Sequence, residues 1–390
     1  MKQEEFFSLL AAGAVCSLLL VLFMPGCGPL TKEVAVTSEV EPEKPMPKAA
    51  TVKPEAVKPE PEIVKPIVEK PVAERPVAEE AATIALKFTP QDSTTYKVIT
   101  EAQQSVKWEG SVPKGSDFES GTTRNRVEMT FTQQLQSIND KGNCIAKITI
   151  KDLKYYFKVK GDLFVDFDSS RAEEPDNPLS RLIGQSYTIE ITPAGEVAEI
   201  VDVSGAQAAV AGTDSSARKA AASLLTQEAV KRRHGIVSLP AAGEKQLQTG
   251  QSWDSVKTFS YGLMGAKSYK KSYTLKQIKD INGRRIAEVE MNAAATSEMA
   301  EQLHKEQTTD DFSKMFDNIE TYTGRLEFDL TAGKIEKSFE KLQTEWIKAL
   351  PDPSAEEKGP AVLKMGTIRL HGMERIDYTL KGSKCPRIKP

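Results

Sequence analysis

Two hairpin-like stretches occur twice, in the same order, within this 390-residue chain. FTQQLQSINDKGNCIAKITIK (131–151) is similar to SYTLKQIKDINGRRIAEVEMN (272–292), and YTIEITPAGEVAEI (187–200) is similar to RLEFDLTAGKIEKS (325–338). Each stretch is an alternating segment, a Gly-containing turn and a second alternating segment. Alternation with period two puts one face of a strand inside and the other in solvent, and Gly supplies the positive φ of a tight turn. Asn282-Gly283 is the strongest hairpin signal in the chain. Between the repeats lies SSARKAAASLLTQEAVKRRH (215–234), Ala-rich and free of Gly and Pro. Asp214 or Ser215 suits its N-cap, Lys231, Arg232 and Arg233 suit its final turn, and Gly235 ends it. The expected fold is therefore mainly β (α+β). It is a large twisted antiparallel sheet or half-barrel from two similar halves, about 84–205 and 236–390, with a central helix at 215–234 packed on it.

The amino terminus is of another kind. Phe6 to Met24 contains no charged residue, and at about 1.5 Å per residue a helix of that length spans a hydrocarbon core of about 30 Å. Met24-Pro25-Gly26-Cys27 resembles the bacterial lipoprotein signal, in which the cysteine becomes lipidated. Glu4 and Glu5 offset Lys2, whereas a secretory signal opens positively charged. Lipidation at Cys27, an uncleaved helix and plain secretion are the open readings, and each exports the rest of the chain. Gly28, rather than Asp, follows Cys27, which by the same resemblance favours the outer membrane over the inner as the address of a lipid anchor facing the periplasm.

From residue 28 to about 83 the chain is a Pro/Lys/Glu-rich linker. Lys53-Pro54, Lys58-Pro59, Lys65-Pro66, Lys70-Pro71 and Arg75-Pro76 recur without aromatics or any apolar period. Proline removes backbone donors and biases its predecessor to extended geometry, so this reads as a disordered, semi-rigid tether reaching at most about 150 Å. The net charge of −3 gives no basic footprint for nucleic acid. Of four cysteines, two lie in the amino-terminal run, leaving Cys144 and Cys385 as a candidate disulfide in an oxidising compartment.

Several motifs carry a family resemblance. Gly161-Asp-Leu-Phe-Val-Asp-Phe-Asp168-Ser169, Leu182-Ile-Gly184-Gln-Ser-Tyr187, Pro193-Ala-Gly195, Leu239-Pro240 and Leu247-Gln-Thr-Gly250-Gln-Ser-Trp253 resemble an uncharacterised β-rich domain family of bacterial lipoproteins and exported proteins. The resemblance covers most of residues 86–380 and rests on turn and packing residues, so it implies a fold and no catalytic residue. A more distant architectural likeness is to periplasmic lipoprotein carriers, whose curved sheet wraps an apolar cavity.

Signals for chemistry are sparse. Ser-x-x-Lys occurs at Ser216/Lys219, Ser268/Lys271 and Ser338/Lys341 without the companion motifs of serine acyl-enzymes. His234, His304 and His371 lack metal-ligand spacing and read as surface or cap residues, with a protonated His234 suiting a helix C-terminus. Asp166 and Asp168, with Glu173, Glu174 and Asp176, read as a solvated acidic loop rather than a calcium loop. Trp108, Tyr155 and Trp253 are the candidate ligand-contact aromatics. No catalytic residue, metal site or cofactor is expected.

The expected function is a membrane-tethered envelope lipoprotein acting as a non-enzymatic binding or structural module. Its partners would be the membrane, through the lipid or helix, and an apolar ligand or envelope protein. A carrier of lipid or lipoprotein with an apolar cavity is the alternative, and an envelope hydrolase the third.

Overall fold

The computed structural model of the protein describes residues 81–376, apart from 111, 113–115, 117, 212–215, 236–238, 241–245, 262–263, 298–314 and 351–360. Phe6–Cys27, the spacer up to residue 80, His304 and Cys385 lie outside the described residues.

The amino half comprises β1 (Ala81–Ala82), β2 (Ser93–Glu109), β3 (Gly121–Ile138), β4 (Cys144–Val159), β5 (Asp162–Asp168), β6 (Ser186–Ile191) and β7 (Val197–Asp202). Three short helices follow, α1 (Ser204–Val210), α2 (Ser216–Ser223) and α3 (Gln227–His234). The carboxyl half comprises β8 (Leu247–Gln248), β9 (Ser252–Ser260), β10 (Ala266–Ile281), β11 (Arg284–Thr296), β12 (Asp317–Asp329), β13 (Lys334–Leu350) and β14 (Ala361–Ile376). Twelve strands form one antiparallel sheet, in the order β7-β6-β4-β3-β2-β14-β13-β12-β11-β10-β9, with β5 sharing the outer edge of β4 with β6. β1 and β8 make a separate pair.

This order explains the duplication. The hairpin β3–β4 corresponds to β10–β11, and β6–β7 corresponds to β12–β13. The two sets run in the same sense along the sheet, with β14 between them pairing with β2. Corresponding strands even share a distortion, since β3 bulges at Leu135/Ser137 and β10 at Leu275/Gln277. Bulges sharpen twist and bend the strand.

The sheet is not closed, but it curls tightly. Arg369 on β14 lies 5.2 Å from the Phe259 ring on β9 and donates from Nη2 to the Ser260 carbonyl at 2.8 Å. In a flat sheet five strand spacings would separate those residues by roughly 24 Å. The inner face is thus a trough, as the half-barrel expectation has it.

Two hydrophobic clusters fill the trough. The first unites Val98, Met129, Phe131, Ile148 and Ile150 of the amino half with Ala221, Leu224, Leu225 and Val230 of the helical segment. The second unites Tyr269, Tyr273, Val289, Leu326, Phe328, Leu342 and Trp346 of the carboxyl half. Leu86 packs against both. The segment carrying it ties the repeats together: Leu86 N–H donates to Pro193 O at 3.3 Å, and Lys87 N–H to Gly333 O at 3.0 Å. Those acceptors belong to the two equivalent Ala-Gly turns. At Gly333, with φ of 63°, a Cβ would stand 2.3 Å from Lys87 Cγ, so no other residue fits there.

One expectation needs correction. A single helix over 215–234 is replaced by α2 and α3, broken at 224–226. Leu224 and Leu225 lie in the turn between the two helices and are buried in the first cluster, at 4% and 1% exposure. Thr226 then caps α3, its hydroxyl accepting from Ala229 N–H at 3.3 Å.

Candidate functional site

The inner face is readable row by row from the strand register. In one row Val98, Met129, Leu153 and Met373 are all buried and apolar. One step along, the middle strands change character. Thr100, Ala102 and Gln104 of β2, Asn125 of β3, and Thr367, Arg369 and His371 of β14 are all half-buried. They form a polar strip, reached by solvent, that separates the two hydrophobic clusters. It is the floor of a cleft.

The last turn of α3 makes one wall. His371 Nε2–H donates to Arg233 O at 3.3 Å, which fixes α3 over β14. Arg232 is exposed to solvent, yet burial among the surrounding protein lowers its pKa to about 10, with the charges of Arg233 and Arg369 adding to the shift. That combination belongs to a cation lining a concavity. The end of β9 makes the opposite wall, where Phe259 and Tyr261 each hold the Arg369 guanidinium 5.2 Å from their ring centroids. At the amino-half end, Asn125 Nδ2 donates to the buried Tyr155 hydroxyl at 3.3 Å.

Beside the cleft lies a buried ionic cluster. Glu340 on β13 receives Lys271 Nζ at 3.2 Å, Tyr273 OH at 3.1 Å and Tyr322 OH at 2.7 Å. Burial alone would raise its pKa, but Lys271, Lys257 and the Tyr322 hydrogen bond outweigh it and hold the carboxyl at about 2. Burial, helped by the Lys257 charge, lowers His371 to about 4, so its imidazole is neutral at neutral pH. His234, expected as a protonated cap, is at the end of α3 but buried. It shares a 2.5 Å hydrogen bond with Tyr187 OH, and burial holds its pKa well below the ordinary value.

On the outer face a separate, open cavity of about 270 Å³ is walled by Arg124, Arg126, Glu128, Lys154, Asp168 and Arg171, among others. Here cations and carboxylates alternate and neutralise one another. Arg124 and Arg126 meet Glu101 at 2.8 and 2.9 Å, Lys154 meets Asp168 at 2.7 Å, and Arg171 meets Asp166 at 2.9 Å. The acidic loop read from sequence is thus held by local cations.

Of the candidate aromatics, only Tyr155 reaches the cleft. Trp108 donates from Nε1 to Phe118 O at 2.8 Å, and Trp253 stacks on Tyr273 at 5.2 Å; both pack against the second cluster. Cys144 is buried with its thiol pushed up to about 11, while its candidate partner Cys385 and the lipidation site Cys27 lie outside the described residues. The three-residue offset puts Ser268 and Lys271 on opposite faces of β10, and Ser338 and Lys341 on opposite faces of β13, so neither pair converges. Among the described residues no group of three His, Cys, Asp or Glu gathers as a metal site, and no helix is long and apolar enough to cross a membrane.

Sequence reasoning missed Arg369 and treated Arg232 and Arg233 only as helix-end charges. Its available signal was the run Thr367-Ile-Arg369-Leu-His371, in which every second residue is polar. Nothing local says which of the two faces is the inner one.

No curated protein matches the chain. Among solved structures, one described as lipid–protein interactions in lipovitellin aligns at a TM-score of 0.35 and 10% identity, over 75% of this chain and 26% of that one. The chain thus spans about a quarter of the length of that structure. A family model matches residues 141–335, half of the sequence, and the chain belongs to that family, the family of unknown function DUF6263.

Proposed function

We propose that the protein is an envelope-tethered, non-enzymatic binding module that holds its ligand in the inner-face cleft. The observation that carries this reading is the half-exposed polar strip of Thr100, Gln104, Asn125, Thr367, Arg369 and His371 lying between two dry clusters. Buried sheet faces are filled with apolar side chains unless a polar group has a partner to meet. The floor favours a ligand with charged or hydrogen-bonding groups over a wholly apolar one. The apolar run ending at Cys27 and the proline-rich spacer support a module standing off the outer or inner membrane by a lipid or helical anchor.

Native mass spectrometry of the full chain in detergent tests the reading. A small-molecule adduct is expected on the wild type and its loss on Ala102→Trp, which fills the floor, with circular dichroism unchanged. A bare wild-type mass, or an adduct undiminished in folded Ala102→Trp and Gln104→Trp variants, overturns it.

A further inference from the structure

Among the described residues, none of three arginines at the cleft forms an ion pair with a carboxylate. Arg232 has no hydrogen-bond or ion-pair partner among the described residues. Among the described residues Arg233 donates to Leu224 O at 2.9 Å and to Tyr187 OH at 3.4 Å, and its buried Nε finds no partner there. Arg369 donates to Ser260 O and stacks on two rings. Two carboxylates near the cleft are already engaged, Glu340 by Lys271 and two tyrosines, Glu320 by Lys267 at 2.6 Å and Tyr269 at 3.0 Å, while Glu228, one turn back on α3, attracts Arg232 without outweighing its burial and the charges of Arg233 and Arg369. The outer face of the same sheet shows the other arrangement, each of Arg124, Arg126 and Arg171 meeting a carboxylate. A structural role would be served better by that arrangement, because cations held in a concavity without counter-charge oppose folding.

We infer that the cleft is an oxyanion site, which takes the phosphate group of a phosphate-bearing ligand between Arg232 on the α3 wall and Arg369 on the floor. This deepens the binding reading above and rests on it. Guanidinium forks recognise multi-oxygen anions by paired N–H donors, and a tetrahedral phosphate can face two opposed walls where a planar carboxylate faces one. Asn125 and Gln104 supply neutral donors along the floor. Phe157, Phe259 and Tyr261 flank it with apolar surface for the organic part of a phosphoester. The like-charge effect of Arg369 on Arg232 is the electrostatic counterpart of this geometry.

The test is calorimetric titration of the full chain, in nonionic detergent at low salt, with two probes: inorganic phosphate and dihexanoyl phosphatidylglycerol. Binding of either supports the inference; phosphate alone identifies a free anion as the source, and the lipid alone a headgroup. Arg232→Gln is expected to weaken binding at least about tenfold, by loss of a charge-assisted contact, while its melting temperature stays or rises because a repulsion is removed. Arg369→Lys keeps the charge and guards against misfolding at that stacked site; it is expected to weaken binding through loss of the fork. Absence of binding by both probes into the millimolar range overturns the inference, as does an Arg232→Gln variant with wild-type affinity. If Ala102→Trp removes a co-purified adduct that contains no phosphorus, and neither probe binds, the binding reading stands and the oxyanion inference falls.

Discussion

Glu340 meets Lys271 at 3.2 Å although two strands, β11 and β12, lie between theirs. The carboxylate reaches across because the residue opposite it on β12 is Gly324, where a Cβ would stand 3.2 Å from Glu340 Cγ and 2.8 Å from Phe339 O. Sheet curvature brings the ammonium the rest of the way. A missing side chain thus lets a buried ion pair form.

Gly324→Ala is therefore expected to destabilise the fold by about 1–3 kcal/mol through overpacking. Urea denaturation reads the effect as a lower midpoint with an unchanged slope. An unaltered midpoint would mean the carboxylate has another path.

Removing one charge of the pair costs more than removing both. Lys271→Met leaves Glu340 buried without its cation and should cost about 3–5 kcal/mol, whereas Lys271→Met with Glu340→Leu should recover most of the loss. A double-mutant cycle on the same denaturation curves measures the coupling. Additive losses in the two single variants would show that the tyrosines alone hold the carboxylate.

Acid should weaken the protein in two stages. His371 falls from 6.5 to about 4 on folding, so between those values the unfolded chain binds the extra proton and stability drops as pH falls. His234 adds to this stage in the same direction. Glu340 falls from 4.5 to about 2, so its contribution is full above 4.5 and is lost toward 2. Melting temperatures from pH 7 to 3 should show both stages, and His371→Gln should flatten the upper one. A profile level from pH 7 to 4.5 would contradict the buried neutral imidazole.

Much of this architecture is legible in the chain. Period-two segments and Gly turns mark the hairpins, and the repeated order marks the tandem halves. The pairing of β14 with β2 is not legible, since Val362 and Glu109 face one another across 253 positions with no local pattern to announce it. The break at Leu224-Leu225 was hidden because two adjacent leucines satisfy a helical stripe as well as a buried corner. The cleft was hidden for a third reason. Arg232 and Arg369 acquire meaning only once curvature faces them, and alternation alone does not distinguish an inner arginine from an outer one.

Anchoring is open to a direct experiment. With Cys27→Ser, metabolic fatty-acid labelling should vanish. A chain that then leaves the membrane fraction had lipid as its anchor, and one that stays unlabelled but membrane-bound is held by the run from Phe6. Persistent labelling of the variant would remove Cys27 from consideration.

The segment around Leu86 and Lys87 has a mechanical consequence. It grips the β6–β7 turn of one repeat and the β12–β13 turn of the other, immediately after β1 pairs with β8. Any tension arriving through residues ahead of Ala81 would be borne first by those few bonds, at the seam between the repeats, before any strand of the main sheet is loaded. A pull on that preceding chain would thereby act at the point whose release lets the two halves of the trough part, and the force needed is set by a short, separately weak clasp.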